Sequence, residues 1–114
     1  MFQITKLFYF EAAHQLPLVP EGHPCGRMHG HSYKVEVICE AEELRNGWVI
    51  DFADISKAIN PIIEKCDHQV LNDFIDNPTA ERIAKWIYDE MIMILPLKSV
   101  VVWETRKCCG GYYR

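Results

Sequence analysis

Two histidines lie on the apolar face of a predicted strand, and this arrangement restricts the fold more than any other feature of the sequence. From residue 29 to residue 41 the side chains alternate between two faces, as they do along a strand. One face carries His29, His31, Tyr33, Val35, Val37 and Cys39, and the other carries Ser32, Lys34, Glu36 and Glu40. His29 and His31 therefore point the same way, with Cβ atoms about 7 Å apart, and could share one metal ion.

A third histidine ends an earlier run of the same kind. The strand predicted over residues 2–14 places on one face Phe8, Phe10, Ala12 and His14. Antiparallel pairing of the two strands would bring His14 beside His29 and His31. Three histidine ligands without a fourth protein ligand leave one coordination position open, which is typical of catalytic rather than structural zinc. The sequence therefore predicts a zinc enzyme, although histidines with this spacing also occur as core or surface residues.

The composition limits the classes of function. With 114 residues, 49% of them hydrophobic, the chain is long enough for one domain, residues 1–114, with a modest core. Its 12 basic and 16 acidic residues predict no binding to nucleic acid or membranes, because phosphate neutralisation needs clustered positive charge. We find neither a secretion signal nor the roughly 20 apolar residues that a membrane span needs. We therefore expect a cytoplasmic protein whose five cysteines form no disulfide.

Two helices are predicted in the middle of the chain. Residues 15–28 are rich in proline and glycine and predict a long loop. Asp51 is a suitable cap for a first helix, in which Pro61 predicts a kink or a late break. Thr79 is a suitable cap for a second helix that runs to about Leu95. Asp67 and His68 follow the first helix.

The last part of the chain completes an α+β pattern. Residues 99–105 predict a β-branched strand, and Gly110-Gly111 predicts a turn into a final strand over residues 112–114. The order ββααββ predicts a four-stranded antiparallel sheet with both helices packed on one face. Because the other face also carries apolar residues and the edges are open, we expect the protein to oligomerise edge to edge.

Six motifs together resemble the family of 6-pyruvoyltetrahydropterin and 6-carboxytetrahydropterin synthases. In chain order they are Phe10-Glu11-Ala12-Ala13-His14, Cys25-x-x-x-His29-Gly30-His31-Ser32-Tyr33, Val49-Ile50-Asp51-Phe52, Asp67-His68-Gln69-Val70-Leu71-Asn72, Asn77-Pro78-Thr79-Ala80-Glu81 and Glu104-Thr105. The resemblance implies the tunnelling fold, in which ββααββ subunits form a ring, usually a trimer stacked as a hexamer, with active sites between subunits. The compact chain is similar to the 6-carboxytetrahydropterin synthases of the queuosine pathway.

The resemblance also implies a role for each site residue. The zinc ligands fall on His14, His29 and His31, and the zinc would act on the side chain of dihydroneopterin triphosphate. The catalytic cysteine falls on Cys25 and the Asp-His pair on Asp67 and His68. The residue that binds the pterin ring falls on Glu104, and Thr79 would assist in binding the ring.

Each of these residues also has a purely structural interpretation. A cysteine in a loop is usually inert, and a histidine after a helix interacts well with the helix dipole. Capping alone explains Thr79. Glu104 is different, because a carboxylate on the buried face of a valine-rich strand needs a partner or a ligand.

Three hypotheses of function remain open at this point. The first is a lyase that makes 6-carboxytetrahydropterin. The second is a 6-pyruvoyltetrahydropterin synthase or another pterin lyase of the same fold, including one that cleaves dihydroneopterin by a retro-aldol step. The third is a non-catalytic protein that binds zinc or pterin. Four basic residues are candidates for binding the triphosphate on charge alone: Arg27, Lys34, Arg106 and Lys107.

Overall fold

Two long antiparallel strands form the centre of the sheet and carry all three candidate metal ligands. The computed structural model describes residues 1–114. Strand β1 spans Phe2–His14 and strand β2 spans His29–Ala41, as the alternation predicts. Their register places His14 opposite His29 and Ala12 opposite His31. Directly opposed residues of an antiparallel pair project from the same face, so the three histidines share one face at one end of the sheet.

Both helices begin at the predicted caps. Helix α1 spans Phe52–Cys66, and Asp51 Oδ1 accepts a hydrogen bond from the Ala53 N–H over 2.9 Å. It continues through Pro61, so the prolyl ring does not end it early. Helix α2 spans Ala80–Met91, and Thr79 Oγ1 accepts from the Arg82 N–H over 3.2 Å.

The predicted end of α2 near Leu95 was wrong. The regular helix ends at Met91, and turns lead from there to Leu95. The carbonyl oxygen of Met91 accepts from the N–H groups of both Ile94 and Leu95. These shared bonds tighten the chain and turn it toward the next strand, while the Leu95 side chain stays buried.

The carboxyl-terminal strands form a hairpin that differs from the predicted one. Strand β4 spans Leu97–Trp103 and pairs with β2, and the next strand, over Cys109–Tyr113, pairs with β4. The predicted turn at Gly110-Gly111 was wrong, because both glycines lie inside this last strand. A Cβ atom on Gly110 would lie 2.9 Å from the Glu81 backbone nitrogen. Glycine therefore allows the strand to pack closely against the start of α2.

A short parallel strand was not predicted. Gln69–Val70 forms β3, which pairs with Ala12 and Ala13 of β1, so the hairpin strand over Cys109–Tyr113 is β5. The sheet has the order β3-β1-β2-β4-β5. The predicted four antiparallel strands are present, and β3 adds a fifth at the edge. The α+β fold class is confirmed.

The core lies between one face of the sheet and the two helices. It contains Phe10 of β1, Val35 of β2 and Val100 of β4, together with Ile59 of α1 and Ile87 of α2. The opposite face of the sheet is uncovered, and Tyr9 on it is 64% exposed. Both helices therefore pack on one face, as predicted. Neither has the length and apolar character that crossing a membrane requires.

Candidate functional site

The three predicted metal ligands meet at the end of the β1–β2 pair. One ring nitrogen from each of His14, His29 and His31 lies within 4.8 Å of the other two. The Nε2 atoms of His14 and His29 are only 2.9 Å apart. The His14 side chain is fully buried, while those of His29 and His31 are partly exposed. The cluster is therefore open on one side and closed by the core on the other.

Hydrogen bonds to the opposite ring nitrogens orient two of the imidazoles. His14 Nδ1 lies 2.8 Å from the Pro78 carbonyl oxygen, and His29 Nδ1 lies 2.7 Å from the Arg27 carbonyl oxygen. A carbonyl oxygen only accepts, so each Nδ1 carries the proton and each Nε2 presents a lone pair. Two lone pairs that face each other at this distance repel unless a cation lies near both. His31 Nε2 is buried without a hydrogen-bond partner, and it gives a third nitrogen donor.

Burial keeps the ligands in the form that binds metal. It lowers the pKa of His14, against the opposing effects of the Pro78 carbonyl and the Glu104 carboxylate. Burial also lowers the pKa of His31, again against Glu104. Neutral imidazole is the ligand form of histidine. The three histidines could therefore hold a metal ion.

Glu104 extends the site toward the β4–β5 hairpin. Its Oε2 atom lies 3.1 Å from His31 Nε2 and 3.8 Å from His14 Nε2. The Glu104 N–H donates to the Cys108 carbonyl oxygen over 3.0 Å, which holds the residue at the start of the hairpin turn. Glu104 thus lies just after the end of β4, with its carboxylate facing two of the three histidines and its side chain partly exposed.

The side chains of Asp67 and His68 are in contact at the end of α1. Asp67 Oδ2 lies 3.0 Å from His68 Nδ1, and Asp67 Oδ1 accepts from the Glu11 N–H over 2.9 Å. The Glu11 N–H, followed by His68, lowers the pKa of Asp67, so this carboxylate stays charged. His68 has a φ of 58°, a conformation that only a few residue types adopt readily. Its N–H donates to the Glu11 carbonyl oxygen, which holds the histidine in this conformation.

The His68 side chain is 78% exposed and faces a cavity of about 520 Å³. His31, Ser32 and Glu11 also line this cavity. The Ser32 hydroxyl donates to Glu11 Oε1 over 2.6 Å. One chain therefore brings His68 to the same cavity as His31, one of the three candidate ligands.

Cys25 lies in a separate turn of the loop between β1 and β2. It is the middle residue of a single 3₁₀ turn over Pro24–Gly26 and is half-buried. The Cys25 N–H donates to His23 Nδ1 over 3.0 Å, and its carbonyl oxygen accepts from the Leu16 N–H over 2.8 Å. Cys25 does not line the cavity that His68 faces. No role was predicted for His23, because histidine is not among the residue types that usually cap the start of a helix.

Thr79 and the four basic residues predicted to bind the triphosphate do not lie together in one site. Thr79 caps α2, and the residue before it, Pro78, supplies the carbonyl that contacts His14. Lys34 and Arg106 line a cavity of about 540 Å³ that also touches Glu104. The other two basic candidates lie apart from that cavity, with Arg27 in the long loop and Lys107 in the hairpin turn.

Comparison with known proteins identifies the family of this chain. The family described as 6-pyruvoyl tetrahydropterin synthase matches residues 3–114. A 6-carboxy-5,6,7,8-tetrahydropterin synthase from Synechocystis is 37% identical over 123 aligned residues, covering 99% of this chain and 94% of that protein. A dihydroneopterin monophosphate aldolase from Pyrococcus furiosus is 35% identical over 99 residues, covering 83% of this chain and 82% of that protein.

The fold has close counterparts among solved structures. The 6-pyruvoyl tetrahydropterin synthase of Caenorhabditis elegans superposes with a TM-score of 0.87 at 22% identity, covering 99% of this chain and 95% of that one. The match of the family to nearly every residue, together with two relatives above 30% identity, confirms the resemblance that the six motifs indicated. The chain belongs to the 6-pyruvoyl tetrahydropterin synthase family.

Proposed function

We propose that this protein is a zinc-dependent 6-carboxy-5,6,7,8-tetrahydropterin synthase of queuosine biosynthesis. It would convert 7,8-dihydroneopterin triphosphate and one water to 6-carboxytetrahydropterin, acetaldehyde and triphosphate. The observation that carries this proposal is the group of three histidine ring nitrogens that lie within 4.8 Å of one another. The Synechocystis relative, which aligns over nearly the whole chain, supports the choice of product.

His14, His29 and His31 would hold the zinc ion. Bound there, zinc supplies a Lewis acid that acidifies the side-chain hydroxyls of the substrate and the neighbouring C–H bond. The two Nδ1 hydrogen bonds, to Pro78 and Arg27, keep the imidazoles in the required tautomer. The buried floor under His14 excludes water from one side of the cluster.

Protein groups would move the protons. Cys25, as a thiolate, would take a proton from the side-chain carbon of the substrate. Asp67 accepts from His68 Nδ1, so it orients the imidazole and stabilises its protonated form. His68 Nε2 would then exchange a proton with the substrate.

Glu104 would bind the pterin ring. The two oxygens of its carboxylate match the paired N–H donors on the amino-pyrimidine edge of a pterin. The hydroxyl of Thr79 accepts one hydrogen bond in its cap and still has its own proton to donate, so it would help to hold the ring.

We further propose that the protein works as a homo-oligomer, a trimer or a hexamer, with active sites between subunits. His68 is largely exposed, and Cys25 is not in the cavity that His68 faces. A neighbouring subunit that packs against this edge of the sheet would complete the set of catalytic residues. The uncovered face of the sheet and its open edges also favour assembly.

The test is to incubate the zinc-loaded protein with 7,8-dihydroneopterin triphosphate and to identify the products by mass spectrometry. Acetaldehyde and 6-carboxytetrahydropterin are the expected products. The variant Cys25→Ala should lose turnover while it keeps its zinc, and Cys108→Ala, which removes an exposed cysteine, serves as the matched control. Unchanged turnover in Cys25→Ala would disprove the role of Cys25 as the base.

One alternative is favoured by a specific relative. The Pyrococcus furiosus protein is named as an aldolase of dihydroneopterin monophosphate, and a retro-aldol lyase would use the same three histidines and Glu104. Formation of a hydroxymethyl pterin and a glycolaldehyde that still carries the phosphates of the substrate would establish this activity instead. A pyruvoyl pterin would indicate the sister synthase, and zinc binding without turnover would indicate a binding protein.

A further inference from the structure

Asn72 belongs to one of the sequence motifs, and the proposed chemistry gives it no role. It lies in a 3₁₀ turn over Leu71–Asp73, directly after β3 ends at Val70. Leu71 beside it is fully buried, so the core fixes the backbone of this turn. The backbone from which the Asn72 side chain extends is therefore fixed in place.

The Asn72 amide forms two hydrogen bonds to the backbone of Gln15. Its Oδ1 atom accepts from the Gln15 N–H over 2.9 Å, and its Nδ2 atom donates to the Gln15 carbonyl oxygen over 2.7 Å. A strand partner would make this same pair of bonds. Since β3 pairs with Ala12 and Ala13 and then stops, the Asn72 side chain continues the pairing beyond the end of the strand.

Gln15 lies between two groups of the candidate site. His14, the most buried of the three histidines, precedes it. Leu16 follows it, and the Leu16 N–H donates to the Cys25 carbonyl oxygen over 2.8 Å. The two Asn72 hydrogen bonds to the Gln15 backbone, here called the clamp, therefore restrain His14 on one side and the loop with Cys25 on the other.

We propose that Asn72 is a positioning residue. By holding the Gln15 backbone, it fixes the position of His14 relative to Cys25. Its importance for catalysis rests on the proposed function. Its effects on zinc affinity and on the Cys25 thiol do not, because both can be measured without substrate.

The test compares Asn72→Asp with the native protein. The aspartate keeps the acceptor for the Gln15 N–H but places an oxygen against the Gln15 carbonyl, so one bond is replaced by a repulsion. Affinity for Zn²⁺, measured by competition with a chromogenic chelator, should fall about tenfold, as for other partners that orient a metal ligand. Alkylation of Cys25 by iodoacetamide, followed by peptide mass spectrometry, should become about fivefold faster, which corresponds to one lost hydrogen bond.

Two further variants keep the test decisive. Asn60→Asp makes the same chemical change at an exposed position of α1 and should alter neither quantity. Asn72→Ala removes both bonds without adding charge and should shift both quantities in the same direction as Asn72→Asp.

The proposal is wrong if zinc affinity and Cys25 alkylation are unchanged while only the free energy of unfolding falls. It is also wrong if neither Asn72 variant folds, since the clamp would then serve the fold and not the site. Failure of the native protein to bind zinc would count against the proposed function, and Cys25 alkylation would still decide the role of Asn72.

Discussion

The His14 Nδ1–H donates to the carbonyl oxygen of Pro78 over 2.8 Å. This bond joins the end of β1 to the residue before the cap of α2, two points that are distant in sequence. It fixes the tautomer in which His14 Nε2 has a lone pair. The start of α2 thus contributes to the candidate metal site through a backbone carbonyl and not through a side chain.

The first prediction concerns His14→Asn. The asparagine amide can still donate toward the Pro78 carbonyl, but it lacks the Nε2 ligand. We expect zinc affinity to fall at least about 100-fold and the unfolding free energy of the metal-free protein to fall by about 1–3 kcal/mol because the smaller side chain leaves a cavity. Zinc content by plasma mass spectrometry and urea denaturation in chelator check both effects. Full zinc content in the purified variant would disprove the role of His14 as a ligand.

The second prediction concerns His68, whose φ is 58°. Asparagine tolerates this conformation and alanine does not, so His68→Ala should be less stable than His68→Asn by about 1 kcal/mol. Both variants should lose turnover and keep bound zinc, since His68 lies outside the group of three ligands. Urea denaturation, zinc analysis and product formation measure the three effects. Native turnover in His68→Asn would rule out a catalytic role.

The third prediction concerns pH. Burial lowers the pKa of both His14 and His31 below the ordinary value of 6.5, so the unfolded chain binds more protons than the folded one just below this pH. The unfolding free energy of the metal-free protein should therefore decrease as the pH falls from 6.5. Above 6.5 these two groups should have no effect.

Urea denaturation in chelator between about pH 8 and pH 5 measures this dependence. His14→Asn should show a weaker decrease than the native protein because it retains only one of the two groups. Glu104→Gln should show a steeper decrease, because the Glu104 carboxylate opposes the lowering of both pKa values. An equal decrease in native protein and His14→Asn would contradict the assignment.

The fourth prediction concerns the buried hydroxyl of Tyr33, which has no hydrogen-bond partner. Burial raises the pKa of Tyr33, so the hydroxyl keeps its proton, while the ring stacks on Phe10 with centroids 4.9 Å apart. Tyr33→Phe keeps the stacking and removes the unpaired group. It should therefore raise the free energy of unfolding by up to about 1 kcal/mol.

Thermal and urea unfolding of Tyr33→Phe test this expectation, with Tyr9→Phe on the exposed face as a control that should change nothing. A loss of stability in Tyr33→Phe would show that the hydroxyl is paired, for example through a buried water.

The alternation of residues in β1 and β2 was sufficient to predict the centre of the sheet and the common face of the three histidines. This is because the two-residue period of a strand relates sequence directly to side-chain direction. Asp51 and Thr79 likewise predicted both helix starts, since a cap is a contact between residues two or three positions apart. The pattern could not predict the end of α2, where the shared carbonyl of Met91 turns the chain.

The glycines of β5 show a second limit of prediction from local sequence patterns. Gly110-Gly111 has the composition of a turn, but the close approach of Gly110 to Glu81 depends on how α2 packs against the hairpin. No local pattern contains that contact. Strand β3 was missed for the same reason, because its two residues form a strand only when they pair with β1.

The sequence by itself determined which residues could bind a metal and which face of the sheet they occupy, because both follow from side-chain chemistry and the period of a strand. The tertiary structure decided what orients them: the Pro78 carbonyl on His14, the Glu11 backbone on Asp67 and His68, and the Asn72 amide on Gln15. Each of these bonds joins groups more than 50 residues apart in the chain. Only folding brings such groups within hydrogen-bond distance, since no local periodicity relates them.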